Sequence, residues 1–131
     1  MSEYHIFDLD FDDIDCLLES LGEMGYKPKV NEIAQPLHGY AGDLRKQKAH
    51  IIIPKSQVGM ASNDVGFERV KGKYIMHLSE FDQNGFKTNK LKQLYQKSKV
   101  TKYIKNTRKL SVKSSEVRKD GSIAIKVRIG V

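Results

Sequence analysis

Ile6 apart, apolar and polar positions alternate near the start of the chain, where His5, Phe7, Leu9 and Phe11 stand against Asp8, Asp10 and Asp12. A period of two sends each set to its own face of a pleated strand, so residues 5–11 are expected to form a half-buried strand. The period then changes. Ile14, Leu17, Leu18 and Leu21 recur at three and four residues, the spacing of one helix face, with Asp12 or Asp13 as N-cap and a stop near Gly22 or Gly25. Asp12, Asp13 and Asp15 in the first turn suit the positive end of the helix dipole.

Further along, Lys27 to Ile33 reads as a short strand with Pro28 near its start, Pro36 to Gly42 as a loop, and Ala49 to Pro54 as a β-branched strand too short for a helix. Gln57 to Asp64 is a polar connection. Val65 to Val70 and Lys73 to Leu78 are predicted to pair as a hairpin across Lys71-Gly72. After the Gln83-Asn84-Gly85 turn, Leu91, Leu94, Tyr95, Val100, Tyr103 and Ile104 fall mostly at helical spacing within Thr88 to Arg108, predicting an amphipathic helix with a basic outer face. Leu110 to Arg118 and Ser122 to Val131 are predicted as strands joined by Lys119-Asp120-Gly121. The order β-α-β-β-β-β-α-β-β, rich in hairpins, points to a two-layer α+β fold in which a mostly antiparallel sheet is covered by two helices. Residues 1–131 are expected to form a single domain, since a chain of this size commonly holds one core.

Composition narrows the classes. Apolar residues make up 39% and charged residues 30%, too apolar for a disordered chain. Apolar runs such as Ile51-Ile52-Ile53 are far too short to cross a bilayer. The acidic N-terminal stretch lacks the basic and continuously apolar regions of a signal peptide. The lone Cys16 has no internal partner for a disulfide. A cytoplasmic setting is therefore expected, with no membrane.

Charge is distributed unevenly. Residues 1–66 carry 6 Lys/Arg and 11 Asp/Glu, whereas residues 67–131 carry 17 and 5. Between Gly85 and Lys119 there are 12 cations and one acid, Glu116. Such density can neutralise the phosphates of a nucleic acid, with release of counterions, or hold an acidic protein surface. The expected polyanion-binding residues are Lys87, Lys90, Lys92, Lys97, Lys99, Lys102, Lys105, Arg108 and Lys109. Tyr95 and Tyr103 lie among them but on the expected core stripe, which argues against base stacking. A weaker candidate is the glycine-containing loop His38-Gly39-Tyr40-Ala41-Gly42, where Arg45, Lys46 and Lys48 could hold a small anion although no phosphate-cradling spacing is present.

Catalytic and metal chemistry find less support. In Asp8-Leu9-Asp10-Phe11-Asp12 the phosphatase pattern with two aspartates is broken, because Phe11-Asp12 stands where Gly-Thr is required. As a calcium loop, Asp8, Asp10, Asp12 and Glu19 would be ligands, but Asp13 occupies the position that needs glycine. A strand followed by a capped helix accounts for the whole run. His5, His38, His50 and His77 are dispersed, with no pair at a metal-ligand spacing. No metal or cofactor is expected, and the chain reads as a binding or accessory protein and not an enzyme.

The segments DIDCLLESLGEMGYKPKVN (Asp13 to Asn31), HGYAG (His38 to Gly42), AHIIIPK (Ala49 to Lys55), VGFERVKGKYIMHL (Val65 to Leu78) and KDGSIAIKVRI (Lys119 to Ile129) occur in an order that resembles the conserved plastid open-reading-frame 35 family, a domain of unknown function from cyanobacteria, algal plastids, bacteria and phages. Glu3 to Phe7 only approximates that family's opening strand and the chain has no Trp, departures that point to a divergent member, with a phage as one source. The resemblance implies a non-enzymatic α+β domain without a family active site. It also implies a second class of function: an adaptor or inhibitor of another protein, either an AAA+ ATPase or, for a phage protein, a host factor in the host cytoplasm. Sheet edges leave the oligomeric state open.

Overall fold

The element order expected from the sequence is the order found. The computed structural model describes residues 3–107, 111–117 and 123–128. Along them run β1 (Tyr4–Phe11), α1 (Ile14–Glu23), β2 (Lys29–His38), β3 (Leu44–Ile53), a short α2 (Lys55–Val58), β4 (Val65–Val70), β5 (Lys73–Ser79), a 3₁₀ turn (Glu80–Asp82), α3 (Thr88–Asn106), β6 (Ser111–Val117) and β7 (Ile123–Arg128). This is an α+β fold whose strand pairs are antiparallel. The chain forms two compact units, Met1–Tyr95 and Gln96–Val131.

In the first unit, five strands take the order β1-β5-β4-β3-β2. Leu17 and Leu21 of α1, Ile51, Val65, Phe67 and Met76 of the sheet, and Leu91 and Tyr95 of α3 are buried in one cluster. The two helices and the sheet therefore share a core. A smaller cluster of Leu37, Ala49 and Ile52 involves the β2–β3 hairpin, with Tyr4 packed against it.

Local chemistry sets the ends of α1. Asp13 is extended and its side chain accepts a hydrogen bond from the Cys16 amide at 3.1 Å, which satisfies a donor with no helical partner. At the other end Tyr26 N–H donates to the Leu21 carbonyl and Gly25 N–H to that of Gly22, with Gly25 at φ +92°. That pairing is the Schellman stop, and the left-handed backbone it needs is why glycine stands there. The turn between β4 and β5 is equally direct: Lys71 and Gly72 have φ of +52° and +81°, as a two-residue hairpin turn matched to strand twist requires.

The β2–β3 hairpin departs from expectation. The segment from Pro36, read as loop, remains strand to His38, and Pro36 pairs with Lys48. β2 is an edge strand, where a residue without an N–H is tolerated. β3 correspondingly begins at Leu44, with exposed Leu44, Lys46 and Lys48 alternating with half-buried Arg45 and Gln47. The Asp run also differs in detail. β1 is irregular between Asp8 and Phe11, with Asp10 at φ +57° and its amide bonded to Asp8 Oδ1.

Tyr95 ties α3 to this strand end. Its hydroxyl accepts from the Asp12 and Asp13 amides at 2.9 and 3.0 Å and donates to Asp12 Oδ1 at 2.9 Å. Burial, and next the hydrogen bond to Asp12, push the Tyr95 hydroxyl from 10.0 up to about 12. Tyr4 moves in the same direction, through burial first and then the charge of Asp64. A folded-state pKa above the unfolded value stabilises the fold fully below about pH 10, and that contribution is lost as pH rises through about 12. Tyr95→Phe should therefore cost about 1–2 kcal/mol at neutral pH and make stability fall less steeply across this alkaline window. Urea unfolding at a series of pH values measures it, and an unchanged alkaline slope would contradict the assignment.

The second unit contains the rest of α3 and a separate two-stranded antiparallel sheet, β6 with β7. The turn expected at Lys119-Asp120-Gly121 lies outside the described residues.

Candidate functional site

Helix α3 buries Leu91, Tyr95 and Ser98, positions four and three residues apart that make one seam. Continued by the same steps, the seam reaches positions 102 and 105, and both are lysine. The helix thus changes from apolar to cationic along a single line. The expected stripe through Val100, Tyr103 and Ile104 is not the buried one. Val100 is exposed, and Tyr103 is 53% exposed. The reason is geometric: 100, 103 and 104 drift around the axis from the line set by 91, 95 and 98 at 3.6 residues per turn.

The expected single basic outer face is likewise replaced by a wider spread. In the helix segment of the second unit, Lys97, Lys105, Lys102 and Lys99 occupy an arc of roughly 200° around the axis. Lys97 and Lys105 are exposed, while Lys99 and Lys102 are half-buried and engaged within the protein. In the first unit, Lys87, Lys90 and Lys92 are exposed at and near the start of α3. Among the described residues, no ion pair involves Lys87, Lys90, Lys92, Lys97 or Lys105. Arg108 and Lys109 lie outside the described residues.

The boundary between units sharpens the charge map. Residues 96–131 hold 11 Lys/Arg and 2 Asp/Glu, a net of +9, whereas residues 1–95 hold 12 and 14, a net of −2. The charge divides where the fold divides, nearly 30 residues later than the midpoint of the chain would place it.

The glycine loop and its cations do not converge. Arg45 lies 3.8 Å from Asp43 and stacks 5.2 Å over the Tyr4 ring. Lys46 and Lys48 project from the opposite side of β3, as neighbours of alternate parity on a strand must. The loop itself is fastened from beneath. Asp64 accepts from the amides of His38 and Lys55 at 2.8 Å each, Asn63 Oδ1 accepts from the Tyr40 amide, and Lys55 Nζ donates to the Tyr40 carbonyl. Behind these, buried Asp82 Oδ2 accepts from Asn63 N–H, Asn63 Nδ2 and Ser79 Oγ. Residue spacing gave no signal for this network, because its members, from the end of β2, the segment before β4 and the end of β5, come together only in the assembled sheet.

The histidines do not meet as a set of three. Among the described residues, the group within metal-binding reach is Glu3, His5 and Glu80, all exposed, with His5 Nε2 2.9 Å from Glu80 Oε1. His77 is buried, its Nε2 2.9 Å from Glu68 Oε1, and its Nδ1 has no hydrogen-bond partner among the described residues. Cys16 is buried in the core. Among the described residues, no helix is long and apolar enough to cross a membrane.

An antiparallel α+β chain with a satisfied polar network under one loop and a cationic later segment is the class these features define. The chain belongs to the family described as "Protein of unknown function (DUF1257)", whose profile matches residues 20–126. No curated protein and no solved structure matches it.

Proposed function

We propose that this chain is a non-enzymatic binding protein whose second unit holds a polyanion, nucleic acid first, by contacts to phosphate. The observation that carries this reading is the net +9 of residues 96–131, set beside the net −2 of the rest. A segment so charged attracts a phosphate backbone while the other unit is indifferent or repelled, which orients the encounter. Exposed Lys97 and Lys105 supply point charges, and exposed Tyr103, one turn from Lys99, offers a ring on which a base can stack. The finer resemblance to the plastid open-reading-frame 35 family is part of the same proposal.

Binding to generic duplex and single-stranded DNA, followed by fluorescence anisotropy over a salt series, tests it. The logarithm of the association constant should fall linearly with the logarithm of salt, with a slope of roughly −2 to −4. The double variant K97Q/K105Q should flatten that slope by about 2 and weaken binding on any sequence alike. Absence of binding at low salt, or a slope unmoved by the variant, would remove the reading. In that event the second reading, an adaptor or inhibitor of another protein such as an AAA+ ATPase, gains ground. It is favoured by Ile6 on the edge strand β1 and Phe81 in the 3₁₀ turn, large apolar side chains that are 63% and 56% exposed.

A further inference from the structure

At the β2 edge of the first unit the strand leaves its ladder and a cavity opens. Val30 pairs with Ile51 and the next pair is Gln35 with Ala49, so β2 spends four residues, 31–34, where β3 spends only His50. An insertion of this kind re-aims side chains and ends local pairing. Beside it lies a cavity of about 550 Å³. Its apolar lining is Ile14 from the start of α1, Val30 and Ile33 from β2, and Tyr74 from β5. Ile33 is 76% exposed and Val30 51%, so both present apolar surface at the cavity mouth.

Four polar residues share the lining: Asn31, Glu32, His50 and Arg69. His50 Nδ1 accepts a hydrogen bond from the Arg69 amide at 3.0 Å. A ring nitrogen that accepts bears no proton, so neutral His50 carries its hydrogen on Nε2 and presents a donor there. Arg69, also in the lining, has an exposed, permanently charged guanidinium that takes part in no ion pair among the described residues. Two donors, one of them a fork that matches a carboxylate, thus share a largely polar concavity with the aliphatic and aromatic side chains of Ile14, Val30, Ile33 and Tyr74. Glu32 stands in the lining as well, and its charge disfavours a ligand carrying two negative charges.

We infer that this cavity binds a small monocarboxylate with an apolar body, its carboxylate on Arg69 and His50 and its body against Ile14, Val30, Ile33 and Tyr74. The site lies wholly in the first unit and is independent of the polyanion reading. Bulging of β2 also breaks the edge that an added peptide strand would need, which favours a small molecule over a peptide.

The test is a titration of the ¹⁵N-labelled full chain with 3-phenylpropionate, its neutral amide 3-phenylpropionamide, and inorganic phosphate. The acid should shift the amide signals of residues 30–33, 50 and 69 saturably below about 10 mM, with the amide at least about tenfold weaker. Arg69→Gln should weaken the acid by about tenfold or more while the rest of the spectrum is unchanged. Ile33→Ser, at an exposed position that the fold does not need, should weaken acid and amide alike. Any of four results overturns the proposal: no saturable shift, equal binding of acid and amide, indifference to Arg69→Gln in a folded variant, or phosphate binding as tightly as the acid.

Discussion

Asp82→Ala should lower the unfolding free energy by about 3–4 kcal/mol, a large effect for one substitution outside the main apolar cluster. The Asp82 side chain is buried, and its Oδ2 accepts from Asn63 N–H at 3.0 Å, Asn63 Nδ2 at 3.2 Å and Ser79 Oγ at 2.7 Å. Alanine leaves these donors facing a cavity without water's compensation, and an orphaned buried donor costs more than a formed bond contributes. Asp82→Asn retains an acceptor oxygen of the same shape and should cost about half as much. Urea unfolding with an unchanged denaturant slope measures both. Equal losses for the two variants would show that the acceptor is not what matters. Because Asn63 also holds the Tyr40 amide, the alanine variant should loosen the His38–Gly42 loop before the sheet gives way.

Gly66→Ala is the second large effect, about 2–3 kcal/mol of destabilisation. A Cβ at this position would stand 2.6 Å from the Ala49 Cβ and 2.8 Å from Leu37 Cδ2. Leu37 can turn aside, but the Ala49 Cβ is fixed by its own backbone, so β3 and β4 would have to part where Ile52 pairs with Gly66. Gly22→Ala is the matched control. It lies inside α1, nothing comes within 4 Å of its added Cβ, and alanine's better helix propensity should raise stability by about 0.5–1 kcal/mol. Thermal unfolding of both should move the midpoint in opposite directions, and a shift of the same sign would refute the steric account.

How far each feature was readable depended on the range of the interaction that makes it. The first helix was legible because cap, face and stop are all written within Asp13 to Tyr26 and are satisfied there. The Lys71-Gly72 hairpin was legible for the same reason. β2 was not, since Pro36 and the bulge at 31–34 obey the rules of an edge strand, and which strand lies at an edge is a property of the assembled sheet. In α3 the seam was misread after Tyr95, where apolar residues at 100, 103 and 104 drew the stripe away from the polar residues at 98, 102 and 105 that keep the period. The basic residues themselves were plain, but their spread around the axis was not, because counting charges takes no account of angle. The cavity left no trace: His50, Arg69 and Glu32 are unremarkable singly, the first two meeting across β3 and β4 and Glu32 joining them from the irregular stretch of β2.

The strand order has a consequence for biosynthesis. β2, β3 and β4 each pair with the strand next made, as successive hairpins do, but β1 pairs with β5, His5 approaching Glu80 across 75 positions. A ribosome adding ~5–20 residues each second delivers β1 roughly 4–15 s before its partner exists. Through that interval the nascent segment has no sheet partner of its own, and the like charges of Asp8, Asp10 and Asp12 disfavour its pairing with another copy.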